Sequence, residues 1–419
     1  MKIQRLEIEN FRGIREMLID FHPRLNVFAG KNGVGKTTVL EALSKALGVA
    51  RLHHVTGNER HNLESNAIIY QNHIQINKKQ ANIRLQLSFR EKTVSTSVSS
   101  NPEKITSDLF TYFPEADVNL PYKAFAEDRT TIAGIWSPTE KTRNSIAEID
   151  PWIGAIVDDA TQYSHYFNWI SEREALENNK LRRFLDSGKV FGRDDFERDN
   201  ILQHVKTAIE EITGFAGLFH DRELYEFTLR KNFGAEEKTL LFYQLSSGEK
   251  HLIAFVVALA VSLARSFPEA ENPLHGEAVF LIDAIELHLH PSWQREIIPK
   301  LLHSFPNCQF IMTTHSPQVL GNIKPESIFL LKREDDEIIC EQPDESYGMT
   351  MDRVLELVMD EESRPNRKVR EEIESLFEHI SREEFDKASD LINTLKQDIP
   401  TDPDVIRAEM LLHRKGLSL

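Results

Sequence analysis

The chain has 419 residues, 40% hydrophobic and 28% charged, and its 50 basic against 66 acidic side chains give a net charge of −16. This composition excludes a disordered or fibrous chain, and so negative a surface repels nucleic acid over most of its area, which leaves DNA contact to a local patch or a partner. No apolar run reads as a membrane span and no secretory leader opens the chain; Cys308 and Cys340 form neither a metal spacing nor a disulfide framework, and the expectation is the reducing cytoplasm.

In chain order, "KIQRLEIENF" sets Ile3, Leu6, Ile8 and Phe11 apart from polar neighbours and reads as a strand. "RLNVFAG" is a second strand ending in a glycine loop. "KTTVLEALSKALG" is a helix with Val39, Leu40, Leu43, Ala46 and Leu47 on one face and Gly48 as its stop. Strands are predicted near Ala67–Ile76 and Ala81–Phe89, helices over Tyr163–Asp186 and Asp194–Thr213, and a strand at "ELYEFTLRKN". Trp169 and Leu176 suit a core as well as an interface. The basic stretches Asn178–Arg193 and Arg364–Arg370 read as solvated faces.

A long apolar helix over Ser247–Ala264 precedes the buried strand Val279–Ile282. Pro291 opens the next helix, at a position that needs no N–H, and "QFIMTTH" is another strand. This alternation predicts a largely parallel sheet covered on both faces. "SIFLLKREDDEIIC" reads as a hairpin. Helices follow at Thr350–Met359, Arg367–Ile380, Glu383–Asp398 and Asp402–His413. In the third, Phe385, Ala388, Leu391, Ile392 and Leu395 share a face, with Ser381 and Glu384 as a capping box.

"GKNGVGKT" (Gly30 to Thr37) fits G-x-x-x-x-G-K-[ST] between a strand and a helix. Gly30, Gly33 and Gly35 let backbone N–H groups, with Asn32 and Thr38 beside them, curl around a phosphate. Lys36 reaches the outer phosphates, and the Thr37 hydroxyl is a ligand for Mg²⁺. "LSSGEK" opens the long helix: Ser246 caps it, Glu249 reaches back, and Ser246 with Gly248 forms a second anion-binding surface. Asp283 ends a buried strand, as a carboxylate that holds Mg²⁺ does. "TTHSP" puts His315 at the end of the next strand, where it can sense a terminal phosphate.

These four motifs together resemble the ABC-type ATPase heads, which include recombination-repair and structural-maintenance proteins. The resemblance implies an α/β fold, a mixed sheet flanked by helices, with an inserted helical/β region and a C-terminal helical tail. The expected segments are 1–130 (with the phosphate loop), 131–240 (a mainly helical insertion), 241–345 (signature, Asp283 and His315) and 346–419 (a helical docking module). It also implies ATP sandwiched between two heads, with Ser246 and Gly248 acting on the nucleotide of another copy.

In those heads a glutamate usually follows the aspartate and orients or deprotonates the attacking water. Here Ala284 holds that place and does neither. Glu286, two positions on, is no ready substitute. The sequence predicts ATP binding with poor hydrolysis. Either the position was changed so that ATP is trapped, or the natural protein is a slow ATPase or nucleotide sensor.

"IENFRGI", "NWISEREALEN", "LHLHPSWQREIIPKLLHSFPNCQFIMTTHSPQVL" and "DPDVIRAEMLLHR" further resemble the ATPase subunits of Septu antiphage defence, also found with some retrons. This implies a self-associating ATPase, a head-to-head dimer or higher oligomer, that assembles with an HNH endonuclease and meets DNA through it. No glutamine stands clearly where such heads place one after the second sheet; Arg129 lies about there. No nuclease constellation is found, neither at "EDDE" nor around His61 and His73, which favours a partner enzyme. A repair-type ATPase and a non-hydrolysing nucleotide-dependent scaffold are the alternatives. Salt-dependent DNA binding by the isolated chain is the mark of the former.

Overall fold

β1 (Lys2–Phe11) buries Ile3, Leu6, Ile8 and Phe11, a pattern that slips twice from strict alternation. Both slips have backbone causes. The register against β4 (Asn82–Phe89) shifts between Ile3 and Arg5, and Asn10 takes a left-handed φ of 52°. β2 (Ile14–Asp20), β5 (Lys92–Ser99) and the two-residue β6 (Thr106–Ser107) complete an antiparallel sheet in the order β2-β1-β4-β5-β6. The residues described in this computed structural model are 2–52, 73–75, 78–89, 92–100, 106–107, 164–186, 196–234, 236–335, 337–360 and 366–414. Most of the strand expected at Ala67–Ile76 lies outside them, as do His61 and Arg129; Ile74 makes one antiparallel bridge to Phe11.

α1 (Lys36–Leu52) runs past Gly48, which does not stop it. A glycine inside a helix costs only about 1 kcal/mol relative to alanine, and no proline follows to end the helix. Val39, Leu40, Ala42, Leu43, Ala46 and Leu47 of α1 are all buried, in one core with the antiparallel sheet and with Val279, Leu281, Ile311, Phe329 and Leu331.

Among the described residues the insertion holds both helices and strands. α2 (Ser164–Asp186) and α3 (Asn200–Thr213) are followed by a three-stranded antiparallel sheet, β7 (Ala216–Asp221), β8 (Glu226–Phe233) and β9 (Glu236–Leu241). α3 starts six residues later than its apolar pattern suggests, because Asp199 caps it by accepting from Leu202 N. Leu176 is 58% exposed and therefore not a core residue, whereas Trp169 is half-buried under the Arg173 guanidinium.

α4 (Ser247–Ser266) has the length and apolarity of a membrane-crossing helix, which sequence reading did not register. Its residues from Leu252 to Ala264 are all buried in the protein, where each large apolar side chain contributes roughly 1.5–3 kcal/mol. β10 (Val279–Ile282), α5 (Pro291–Ser304), β11 (Gln309–Thr314) and the hairpin of β12 (Ile328–Glu334) and β13 (Glu337–Glu341) follow. β3 (Leu25–Ala29), from the start of the chain, inserts between β11 and β12 to give the order β10-β11-β3-β12-β13. The first four strands are parallel and β13 is antiparallel. The largely parallel sheet expected from sequence is β10-β11-β3-β12-β13, and it stands beside the antiparallel sheet of β1. Buried Gln309 joins them: its amide accepts from Ile3 N at 2.7 Å and donates to Ile3 O at 2.9 Å.

These elements form one compact unit, Met1–Gly348, and Met349–Leu419 form another. In the second, a helical turn Met351–Arg353 continues as a π-type turn over Val354–Val358. α6 (Arg367–Ser381), α7 (Phe385–Asp398) and α8 (Pro403–Arg414) then bury Ile373, Leu376, Ala388, Ile392, Leu395, Val405, Ala408 and Leu412 against one another. The capping box expected from Ser381 and Glu384 does not form. Ser381 still belongs to α6, where its hydroxyl donates to Glu378 O, and Glu384 instead bonds His379 Nδ1 at 2.6 Å.

Candidate nucleotide-binding site

All five residues of β3 are buried, so the chain leaves the sheet edge at a fixed point. The loop that follows has φ of 142°, 80° and 94° at Gly30, Gly33 and Gly35, values that side-chain-bearing residues rarely adopt. At Gly30 there is also no room, since a Cβ would lie 2.3 Å from the Leu331 carbonyl. Lys36 is buried and donates through Nζ to the Gly30 and Lys31 carbonyls, both at 2.8 Å. Asn32 and Gly33 form the exposed rim, and Thr38 is buried beneath them in the first turn of α1.

Parallel strands end at one edge of a sheet, which brings together groups far apart in sequence. Thr37 Oγ1 donates to Asp283 Oδ2 at 2.9 Å. The Thr313 hydroxyl, on the strand between β3 and β10, bonds the other Asp283 oxygen and accepts from Ala284 N at 2.7 Å. Ala284 has a left-handed φ of 50°, a conformation that costs an L-residue roughly 1–2 kcal/mol.

The bonding continues residue by residue. Glu286 accepts from Thr314 Oγ1 at 2.8 Å and from His315 N at 2.7 Å. Ser316 Oγ donates to Gln294 Oε1 at 2.6 Å, and Gln294 Nε2 donates to Leu289 O at 2.9 Å. Four consecutive residues, Thr313 to Ser316, thus hold the segment from Asp283 to Gln294. Burial, and then the nearby Lys36 charge, lower the His315 pKa, against the opposing effect of Glu286, Asp283 and a hydrogen bond to the Gly30 backbone. The imidazole at this edge is therefore neutral at pH 7.

Ser246 and Gly248 lie at the start of α4 and make no hydrogen bond to the glycine loop. Ser246 caps the helix by accepting from Glu249 N at 3.3 Å, and Glu249 Oε2 accepts from both Ser246 N and Ser246 Oγ, so the capping box forms as the sequence predicts. A Cβ on Gly248 would lie 2.6 Å from the His288 carbonyl, so this helix end abuts the loop after Asp283. The rings of His251 and His288 stack there at 4.3 Å.

The AAA domain family described as putative AbiEii toxin, Type IV TA system, matches residues 25–321, which include β3, its glycine loop, Asp283 and His315. The chain belongs to this family. It is 27% identical over 397 residues to the Retron Ec83 probable ATPase of Escherichia coli, a match covering 79% of this chain and 72% of that protein. It is 25% identical over 372 residues to Septu protein PtuA of Bacillus thuringiensis, covering 85% and 84%. Among solved structures, the SMC head domain from Thermotoga maritima is similar at 13% identity and a TM-score of 0.44, over 82% of this chain and 99% of that one. The chain is an ABC-type ATPase related to the Septu and retron ATPases.

A hydroxyl and a carboxylate in hydrogen-bonding contact are the hard oxygen donors that Mg²⁺ takes, with water and phosphate completing its shell. Thr37 and Asp283 therefore fit that ion. Among the described residues no group of three His, Cys, Asp or Glu side chains forms an all-protein metal cage. Thr313 and Gln294 were not singled out from sequence. "TTHSP" and "PSWQ" hold them in motifs already marked, but only the tertiary structure shows what each one bonds.

Proposed function

We propose that this ATPase binds Mg²⁺–ATP at Gly30–Thr37 and Asp283, that two copies sandwich the nucleotide, and that the paired state controls an HNH endonuclease. The observation that carries the reading is the meeting of Thr37 and Asp283 at 2.9 Å, with Lys36 buried in the same loop. Support for the sandwich comes from Ser246 and Gly248: they present a helix N-terminus, but their contacts are with Glu249 and the His288 loop rather than the glycine loop. Support for the defence role comes from the names of the related proteins, Septu protein PtuA and Retron Ec83 probable ATPase. The nuclease, and contact with DNA, fall to the partner in the cytoplasm.

In the proposed mechanism, Lys36 and the loop amides bind the phosphates. Thr37 and Asp283 would hold Mg²⁺, which would supply positive charge against the phosphate oxygens. Neutral His315 would donate its ring N–H to a terminal phosphate oxygen. The attacking water then lacks a base. The Ala284 methyl offers none, and both oxygens of Glu286 are engaged by Thr314 and His315. A missing general base costs about 10²–10⁴-fold in rate, so this chain holds ATP and turns it over slowly.

Co-expression with an HNH endonuclease and affinity capture test the assembly. A stable complex is expected, with ATP retained in it. Deleting Lys368–Leu419 removes α6–α8, and loss of the complex on deletion is expected if those helices dock the nuclease; a complex that survives removes that role. Failure of the full chain to capture the nuclease overturns the assembly.

A further inference from the structure

The three-stranded sheet β7–β9 plays no part in the nucleotide site described above, yet one side chain ties it to the signature helix. Lys231, on β8, places Nζ 2.5 Å from Glu249 Oε1. The ammonium also lies 4.8 Å from the centre of the Phe215 ring and 5.5 Å from that of Phe233. An ammonium against two aromatic faces and one carboxylate is held in place from three sides. The other Glu249 oxygen accepts from the Ser246 hydroxyl at 2.8 Å and from Ser246 N at 2.9 Å. One carboxylate therefore connects a strand of the insertion to the serine at the tip of α4.

This arrangement sets a competition for the serine proton. If Ser246 is to donate to a phosphate of a nucleotide held by another copy, its O–H must leave Glu249. A bare carboxylate at that spot would hold the proton harder and would also repel the incoming polyphosphate. An ammonium on its far oxygen weakens both effects. Resting on the sandwich reading above, we propose that Lys231 is a positioning residue that neutralises Glu249 and so readies Ser246 for the nucleotide of the opposing copy. Burial raises the Glu249 pKa, but the bonds from Lys231 and Ser246 outweigh it and the net direction is down. The carboxylate thus stays charged, and it is the ammonium that balances it.

The test is ATP-driven association of the full chain, read as mass by light scattering with Mg²⁺–ATP, alongside binding of a fluorescent ATP analogue to the dilute protomer. Lys231→Met is expected to weaken association roughly tenfold or more while leaving analogue binding by the protomer unchanged, because Lys231 acts only across the interface. Lys231→Arg is expected to associate like the parent. Adding Glu249→Gln to Lys231→Met is expected to restore association, since the amide has no charge left to balance; a brace that only held the helix end would gain nothing from it. If Lys231→Met does not fold, Glu249→Gln alone decides, and it should associate at least as well as the parent. Parent-like association of Lys231→Met, no recovery in the double variant, or tenfold loss in Glu249→Gln would each overturn the inference. A parent chain that binds the analogue but never associates with ATP overturns the sandwich reading and this inference with it.

Discussion

The Thr37 hydroxyl and the Asp283 carboxylate, 246 positions apart in sequence, share a hydrogen bond of 2.9 Å. The bond exists because β3 and β10 flank β11 in one parallel sheet and end at the same edge. Thr313, at the end of β11, holds the second Asp283 oxygen and the Ala284 N–H. The position after Asp283 is thus fixed by backbone bonds whatever its side chain, which makes it a clean site for substitution.

Ala284→Glu is expected to raise ATP turnover about 100-fold or more, measured as phosphate release under saturating Mg²⁺–ATP. Ala284→Gly should leave turnover at the parent level. It should also stabilise the fold by about 0.5–1 kcal/mol, since relief of the left-handed φ exceeds the added backbone entropy. No gain with glutamate would remove the account of slow hydrolysis.

Gly248→Ala is expected to destabilise the fold by about 1–3 kcal/mol, because its Cβ would press on the His288 carbonyl 2.6 Å away and backbone cannot yield cheaply. Thermal denaturation reads the loss. ATP-driven association should fall with it. A variant as stable as the parent would show that the helix end and the loop are not in contact.

Glu286→Gln, made in the Ala284→Glu background, should lower kcat about tenfold with little change in KM, because one donor of the Thr314–His315 pair loses its acceptor. Glu286 opposes the lowering of the His315 pKa. Without its charge that pKa falls further, so the acid limb of the pH–rate profile should move to lower pH. An unmoved profile would separate Glu286 from His315.

His73 sets a pH dependence of stability. Burial, then the charges of Lys45 and Arg12, lower its pKa to about 4, while Glu41 stands 3.5 Å away. The unfolded chain binds the proton near 6.5 and the folded chain only near 4, so between these values the unfolded state carries more protons and stability is lost as pH falls. Urea denaturation from pH 7 to pH 4 should show this slope, and His73→Gln should flatten it.

Strands whose apolar runs are continuous or nearly alternating, such as β1, β3, β10 and β11, were legible in the sequence. Those with polar or charged faces were not. β5, "KTVSTSVS", buries Val94, Thr96 and Val98 but has only its two valines as apolar residues, and β9, "EEKTLL", has four exposed residues of six. Gly48 misled because a glycine costs a helix only about 1 kcal/mol, which does not by itself end it. Ser381 and Glu384 misled because a capping spacing says nothing about where the previous helix ends.

The sequence by itself determined the phosphate loop, the serine-capped helix, the strand-ending aspartate and the alanine after it. Each of these is a local pattern whose chemistry depends on residues a few positions apart. Only the tertiary structure decided that Thr313 clamps Asp283, that Glu286 is spent on Thr314 and His315, and that Lys231 reaches Glu249. Those bonds depend on strand order and on the packing of the insertion, which are settled by long-range pairing and leave no short-range mark in the chain.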